Sequence, residues 1–354
     1  MKKEYNVGPM IKEAWTGPGN KDGTITVFKP EHDGLHIDMK KKGNAEWWYF
    51  DARLEDGHFV VGFFRAKHER TGKTGVEITI YKPDGTKIQK IYDYTRSDLT
   101  ATSKDANVKI GNNYIKVDFS NSKLPEYEIF LDEGEYGIHL KYKATVQSWM
   151  PGKGYTEFGD LGHFGWCIAL PRADVEGTIK VEGKTIPAKG IGYHDHNWLN
   201  FNLVRVVEYW YWGRIYSDNF TLIYAYIKCN KKMNDHGIKV MMLAKGETIL
   251  LSTGESDIIA EDFQFHEYVN NHYPKILKFN ISEKQKVKLE VQEIIDADNL
   301  LFELGPVLRF IVKNILKLKP GYFRLKSKFN VNIQHNGEIY KEEGNTLHEM
   351  VIAK

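Results

Sequence analysis

Residues 190–200 read Gly-Ile-Gly-Tyr-His-Asp-His-Asn-Trp-Leu-Asn, the densest run of side-chain chemistry in the chain. Tyr193 to Asn197 all carry hydrogen-bonding tips, Trp198 closes the run, and two imidazoles flank one carboxylate. If Asp195 accepts from either ring, that ring's tautomer is fixed and its pKa rises, as an acid/base site requires. The same residue types also build structural networks that seal the end of a barrel, and residue types alone leave the two readings level. Gly190 and Gly192 mark places where the backbone needs φ > 0 or passes close to a neighbour.

A second cluster reads Glu46-Trp47-Trp48-Tyr49-Phe50-Asp51-Ala52-Arg53. On a strand, Trp47, Tyr49 and Asp51 share one face, and Glu46, Trp48, Phe50 and Ala52 the other. A strand buried on both sides accounts for any single aromatic here; a carboxylate at each end of the run favours a pocket wall. A third cluster, Glu208-Tyr209-Trp210-Tyr211-Trp212-Gly213-Arg214, is again aromatic and charged. Glu46, Trp47, Tyr49, Asp51, Tyr193, Glu208, Trp210 and Trp212 are therefore candidate substrate-binding residues. Neighbouring ligands on a strand point to opposite faces, so His194-Asp195-His196 suits a metal poorly. With no metal or nucleotide motif in view, the expectation is no metal and no cofactor.

These clusters need a scaffold. The chain has 354 residues, 42% hydrophobic and 13% aromatic, enough for one large or two ordinary domains with β structure or an apolar pocket. Lys+Arg (49) and Asp+Glu (47) nearly cancel, so no large field favours nucleic acid. Lys313, Lys317, Lys319, Arg324, Lys326 and Lys328 collect late, as on a solvated face or against a lipid surface. Cys167 and Cys229 lie in no metal-type spacing; two buried thiols in a reducing compartment is the simpler reading, a disulfide the alternative. No signal peptide and no apolar stretch of spanning length are legible, which reads as soluble and cytoplasmic.

Turn signals recur along the chain. Glu55-Asp56-Gly57-His58 joins Trp47–Leu54 to Phe59–Ala66, and Lys82-Pro83-Asp84-Gly85-Thr86 joins Val76–Tyr81 to Lys87–Tyr92. Gly165–Pro171 reads as a buried strand, and Val175–Val181 and Ile186–Ile191 as two more that lead into the central motif. A hairpin of Val204–Ile215 and Asn219–Lys228 opens a second half. After Pro306, Leu308, Ile311, Val312, Ile315 and Leu316 recur at helical spacing until Pro320. A helix packed over a barrel mouth is the plainer role for 306–319; a lid in peripheral contact with membrane is the sharper one. The fold expected is all-β: two tandem antiparallel β-barrel domains, with an arm over 1–23, barrels over 24–200 and 201–354, and one helix near 306–319.

Gly165-Trp166 with Pro171, then Gly177, then residues 190–198, together with Glu46-Trp47-Trp48-Tyr49 and a C-terminal pattern from Tyr322-Phe323-Arg324 to Gly344, His348 and Glu349, resemble the hydroxyneurosporene synthase (carotenoid hydratase) family. Its relatives include lipocalin-like proteins of the AttH type and fungal Diels–Alderase-type cyclases. The resemblance implies that the two barrels are lipocalin-like, with a pocket between or inside them, and implies addition of water across an isoprenoid C=C. It places functional roles on His196 and Trp198, and a proposed proton donor on a Tyr-x-Asp strand. Here that strand reads Leu222-Ile223-Tyr224-Ala225-Tyr226, so Tyr224 fits and Tyr226 stands where the hydratases have Asp. Asp195 is then the candidate acid, with Asp51 or Glu208 behind it, and Tyr226 joins the candidate substrate contacts. The expected function is a cofactor-free hydratase, cyclase or isomerase acting on an apolar isoprenoid or polyene. The alternative is a lipocalin-like carrier of lipid or terpenoid without turnover; a third reading is a structural protein whose barrels serve protein contacts.

Overall fold

The computed structural model describes residues 11–15, 25–303 and 319–353. Nearly all regular structure among them is β, in two antiparallel sheets of 13 and 9 strands. The first runs from Lys87–Tyr94 through Thr74–Tyr81, Phe59–Lys67, Ala45–Leu54, Lys184–Leu199, His163–Val181, Gly137–Ala144, Glu126–Asp132, Asn113–Asp118 and Val108–Ile110 to Leu99–Thr100. Tyr155–Phe158 and Ile11–Lys12 extend it beside His163–Val181. The second runs from Thr248–Thr253 through Gly237–Lys245, Phe220–Cys229, Val207–Tyr216, Glu338–Ile352, Gly321–His335, Gln285–Asn299 and Asn271–Ser282 to Asp257–His266. Two tandem β units, one from strands before residue 200 and one from strands after it, are the expected architecture.

Alternation along the strands produces three apolar cores. One fills the curl of the first sheet and includes Trp48, Phe50, Phe64, Ile78, Ile129 and Leu140. Another fills the second sheet around Leu222, Tyr224, Phe279, Leu289, Phe323 and Phe329. The third lies between the sheets, where Tyr49, Val61, Trp166, Ile168 and Tyr193 meet Ile223, Ala225, Val240 and Met242. Strands at the junction are thus apolar on both faces, which is why Ala45–Leu54 and Phe220–Cys229 read as near-continuous hydrophobic runs.

Several expected elements change. Gly165–Pro171 and Val175–Val181 are one strand, His163–Val181, because register shifts between Cys167, Leu170 and Ala173 absorb Pro171 without ending the pairing. The central motif lies on the 16-residue strand Lys184–Leu199 rather than after a shorter one. Leu203–Arg205 is a 3-10 turn that precedes Val207–Tyr216, where a strand from Val204 was expected. Cys167 and Cys229 are buried free thiols. The expected arm over 1–23 lies outside the described residues except for 11–15, and the expected helix near 306–319 lies outside them except for Lys319. Among the described residues, no helix is long and apolar enough to cross a membrane.

Candidate active site

Strand Lys184–Leu199 sits between Ala45–Leu54 and His163–Val181, with Asp195 opposite Tyr49, His196 opposite Trp48 and Trp198 opposite Glu46. Its period of two divides the central motif. Asp195, Asn197 and Leu199 face a cavity of about 370 Å³ between the sheets, and Tyr193 packs on the same side. His194, His196 and Trp198 turn the other way. Gly190 meets the expectation of close approach, since a Cβ there would lie 2.1 Å from the Arg53 carbonyl. Gly165 does the same for Trp198, whose indole occupies the space 1.9 Å from where a Gly165 Cβ would stand.

The chamber is walled by Trp47, Tyr49, Phe63, Phe164, Trp166, Trp210 and Trp212, with Ala225, Ile227, Ile238 and Val240 across from them. Its volume lies in the range of small-molecule sites. Asp195 accepts from Trp166 Nε1 at 2.9 Å, from the Tyr193 hydroxyl at 2.8 Å and from Asn197 Nδ2 at 2.9 Å. Burial pushes its carboxyl up to about 6, against the pull of the Trp166 and Tyr193 donors. Glu69 and Glu349 also reach the chamber wall. Burial raises Glu69, while Arg324 and Tyr322 both donate to Glu349.

Neither histidine donates to Asp195, which corrects the expectation of an Asp-His pair. His194 presents Nε2 to Asp33 Oδ2 at 2.9 Å and Nδ1 to the Tyr49 carbonyl at 2.9 Å. His196 presents Nε2 to Glu46 Oε1 at 2.8 Å and Nδ1 to Asp33 Oδ1 at 3.3 Å. Glu46 also accepts from the backbone of His36 and Ile37, and Asp33 from the Tyr127 hydroxyl. Burial alone would raise Asp33 and lower His196. The ion pairs win: Asp33 is held well below the carboxylate range by His194 and His196, and His196 is raised to about 9 by Asp33 and Glu46. This buried network ties residues 30–46 to the first sheet's interior. Cys167 joins Asp33 and His196 in one cluster of metal-ligating types. Its thiol, however, is pushed up by burial and donates to the His32 carbonyl at 3.1 Å, so the cluster works as part of the polar network.

The remaining expected residues divide in the same way. Trp47, Tyr49, Trp210 and Trp212 line the chamber. Asp51 is buried behind them, accepting from the Tyr49 hydroxyl at 2.7 Å and paired with Arg214 across the junction of the sheets. Glu46 faces the histidines. Trp198 stacks on His36, with centroids 3.8 Å apart, and lines a separate polar cleft with His32, His163, Lys153 and Glu157. Glu208 is not a lining residue; its backbone carbonyl accepts from Ala353. Tyr224 packs against Phe279 in the second sheet's core, and Tyr226 stacks with Tyr211 on that same face. The structure therefore does not bring Tyr224 or Tyr226 to Asp195, because their strand shows the chamber its other parity, Ala225 and Ile227. Sequence reasoning missed Asp33, Glu69, Trp166, Asn197, Arg214 and Glu349 as participants. Trp166, Asn197, Arg214 and Glu349 lay in stretches already singled out but were given no role, whereas Asp33 and Glu69 carried no signal.

The pattern of the AttH-like family matches residues 29–305. The chain belongs to the AttH-like family. The AttH-like chain is 25% identical over 263 residues to a hydroxyneurosporene dehydrogenase of Chlorobaculum tepidum, covering 62% of itself and 65% of that protein. It is 28% identical over 228 residues to the Diels-Alderase pyiF of Pyricularia grisea, covering 54% of itself and 52% of that protein. It thus spans between half and two-thirds of the length of these relatives. Its fold is similar to that of a putative AttH from Nitrosomonas europaea, with TM-score 0.62, 15% identity and coverage of 93% and 97%. Kievitone hydratase from Nectria haematococca has the fold as well, with TM-score 0.55, 15% identity and 98% of each chain covered. The resemblance read from the aromatic and His-Asp-His clusters holds.

Proposed function

We propose that this AttH-like chain is an enzyme acting on a compact apolar molecule held between its two sheets, with Asp195 as general acid. The observation that carries the reading is the Asp195 carboxyl itself: it sits at the wall of an aromatic chamber, bonded by three neutral donors and titrating near 6. Such a group holds a proton in a usable fraction near neutrality. The proton passes from the carboxyl to one carbon of a C=C, leaving a cation on the neighbouring carbon and a carboxylate on Asp195. Attack by water gives hydration, attack by a second C=C gives cyclisation, and loss of a different proton gives isomerisation; in each case a proton returns to Asp195. A positioned acid contributes ~10²–10⁴ in rate, and indole faces stabilise the cation. As proposed, the step uses side chains of this chain alone. Relatives named for hydration and Diels–Alder cyclisation support alteration of C=C bonds.

The test is incubation with short terpenoid alkenes in D₂O. One solvent deuterium on carbon of the product is expected, and none with Asp195→Asn. Product formed at an unchanged rate by Asp195→Asn would remove Asp195 from the reaction. A carrier without turnover is the second reading. It is favoured by the placement of Tyr224 and Tyr226 away from the chamber, and it predicts a chemically unchanged lipid in native mass spectra.

A further inference from the structure

The charges around the chamber are unequal in sign. Asp195, Glu69 and Glu349 line it, while among the described residues no lysine or arginine does. Two neighbouring negative charges are already matched, Glu349 by Arg324 and Asp51 by Arg214. Glu69 feels Arg70. Asp195 receives only neutral donors in its hydrogen bonds, and it shares the wall with four indoles, Trp47, Trp166, Trp210 and Trp212. A neutral apolar ligand suits Asp195 in its protonated form and leaves the ionised form without a counter-charge. A cation would do the opposite: it would keep the carboxylate ionised and place its own charge against π faces, the arrangement by which aromatic cages hold alkylammonium ions.

We infer that the chamber binds hydrophobic ammonium ions, with Asp195 as counter-ion and the indoles as the cage. The inference rests on the chamber being the ligand site and deepens that reading. An ammonium beside the Asp195 carboxylate reproduces the charge distribution left once Asp195 has given its proton to carbon. Amine-bearing terpenoids or alkaloid-like molecules are the ligand class this selects, as mimics of the charged intermediate. At about 370 Å³ the chamber accommodates a ring with a short alkylammonium arm.

The experiment compares benzyltrimethylammonium with neopentylbenzene, its neutral isostere, by quenching of intrinsic tryptophan fluorescence in the full chain at pH 8, where Asp195 is ionised. The expected result is binding of the cation at least about tenfold tighter, reduced to near parity in Asp195→Asn and weakened by about threefold or more in Trp212→Leu. Equal affinity, or tighter binding of the neutral molecule, overturns the inference and leaves the acid role of Asp195 standing. Failure of both molecules to bind the wild-type chain overturns the chamber as a ligand site altogether. Because the wild-type comparison stands alone, poor folding of a variant does not blunt the test.

Discussion

Asp195 and His196 are adjacent in the chain and do not share a hydrogen-bond network. The first faces the chamber between the sheets; the second is locked between Asp33 and Glu46 inside the first sheet. One peptide unit separates a carboxyl at the chamber wall from an imidazole held between two carboxylates. The motif that looks like one acid/base device is two devices back to back.

Under the proposed acid role, replacing Asp195 by Asn should lower kcat/KM by ~10²–10⁴ on a substrate that the protein turns over. For the free enzyme, kcat/KM should fall as pH rises through about 6, the value to which burial pushes this carboxyl. The same shift destabilises the wild type as pH rises. The folded pKa lies above the ordinary 3.8, so relative stability declines between pH 4 and pH 6, by about 3 kcal/mol. Asn removes that decline, and thermal melts of both proteins from pH 4 to 8 would reveal it.

His196 carries the same sign in a higher pH window. Its pKa is raised to about 9 from 6.5, so its ion pairs contribute stability that is complete below 6.5 and lost as pH rises through about 9. The size of that loss is about 3 kcal/mol. Denaturant midpoints measured from pH 6 to 10 should drop for the wild type, while His196→Gln should start lower and stay flat across that window.

Arg214 and Asp51 join the two sheets through a buried ion pair, with the guanidinium 4.6 Å from the Tyr193 ring centre. Arg214→Met strands Asp51 away from water and should cost about 3–5 kcal/mol. Asp51→Leu combined with Arg214→Met should recover part of that loss, because it removes the stranded charge while leaving the Tyr49 hydroxyl without its acceptor. Urea unfolding of the single and double variants would show whether the pair couples the sheets in this way.

Ala225 presents the smallest side chain of the chamber wall on the Phe220–Cys229 strand. Ala225→Phe fills the cavity and should abolish ligand binding and turnover, while the melting temperature changes little because the added ring enters the chamber and not the packed core. A variant that binds as well as the wild type would place the ligand elsewhere.

Much of the architecture was legible without coordinates. The Asp-Gly hairpins at 56–57 and 84–85, the alternating aromatics and the absence of long helical periodicity before residue 300 specify antiparallel β structure, because turn chemistry and side-chain period are local properties. Period two also divided Trp47, Tyr49 and Asp51 from Glu46 and Trp48, and that division stands. It did not reveal which face meets a chamber, since a strand that packs between two cores is apolar on both sides.

Partners distant in sequence depend on register and on how the sheets dock. Asp33 reaches His194 across 161 positions, and Arg214 reaches Asp51 across 163, with no periodic signal to announce either. Tyr224 and Tyr226 show the same limit: the resemblance assigned them, but the parity of their strand turned them into the second core. From the sequence by itself came the residue types, the strands and the family. Tertiary structure alone decided that Asp195 faces the indoles while His196 faces Asp33, because only the stacking of one curled sheet on another determines which side of a strand becomes cavity wall.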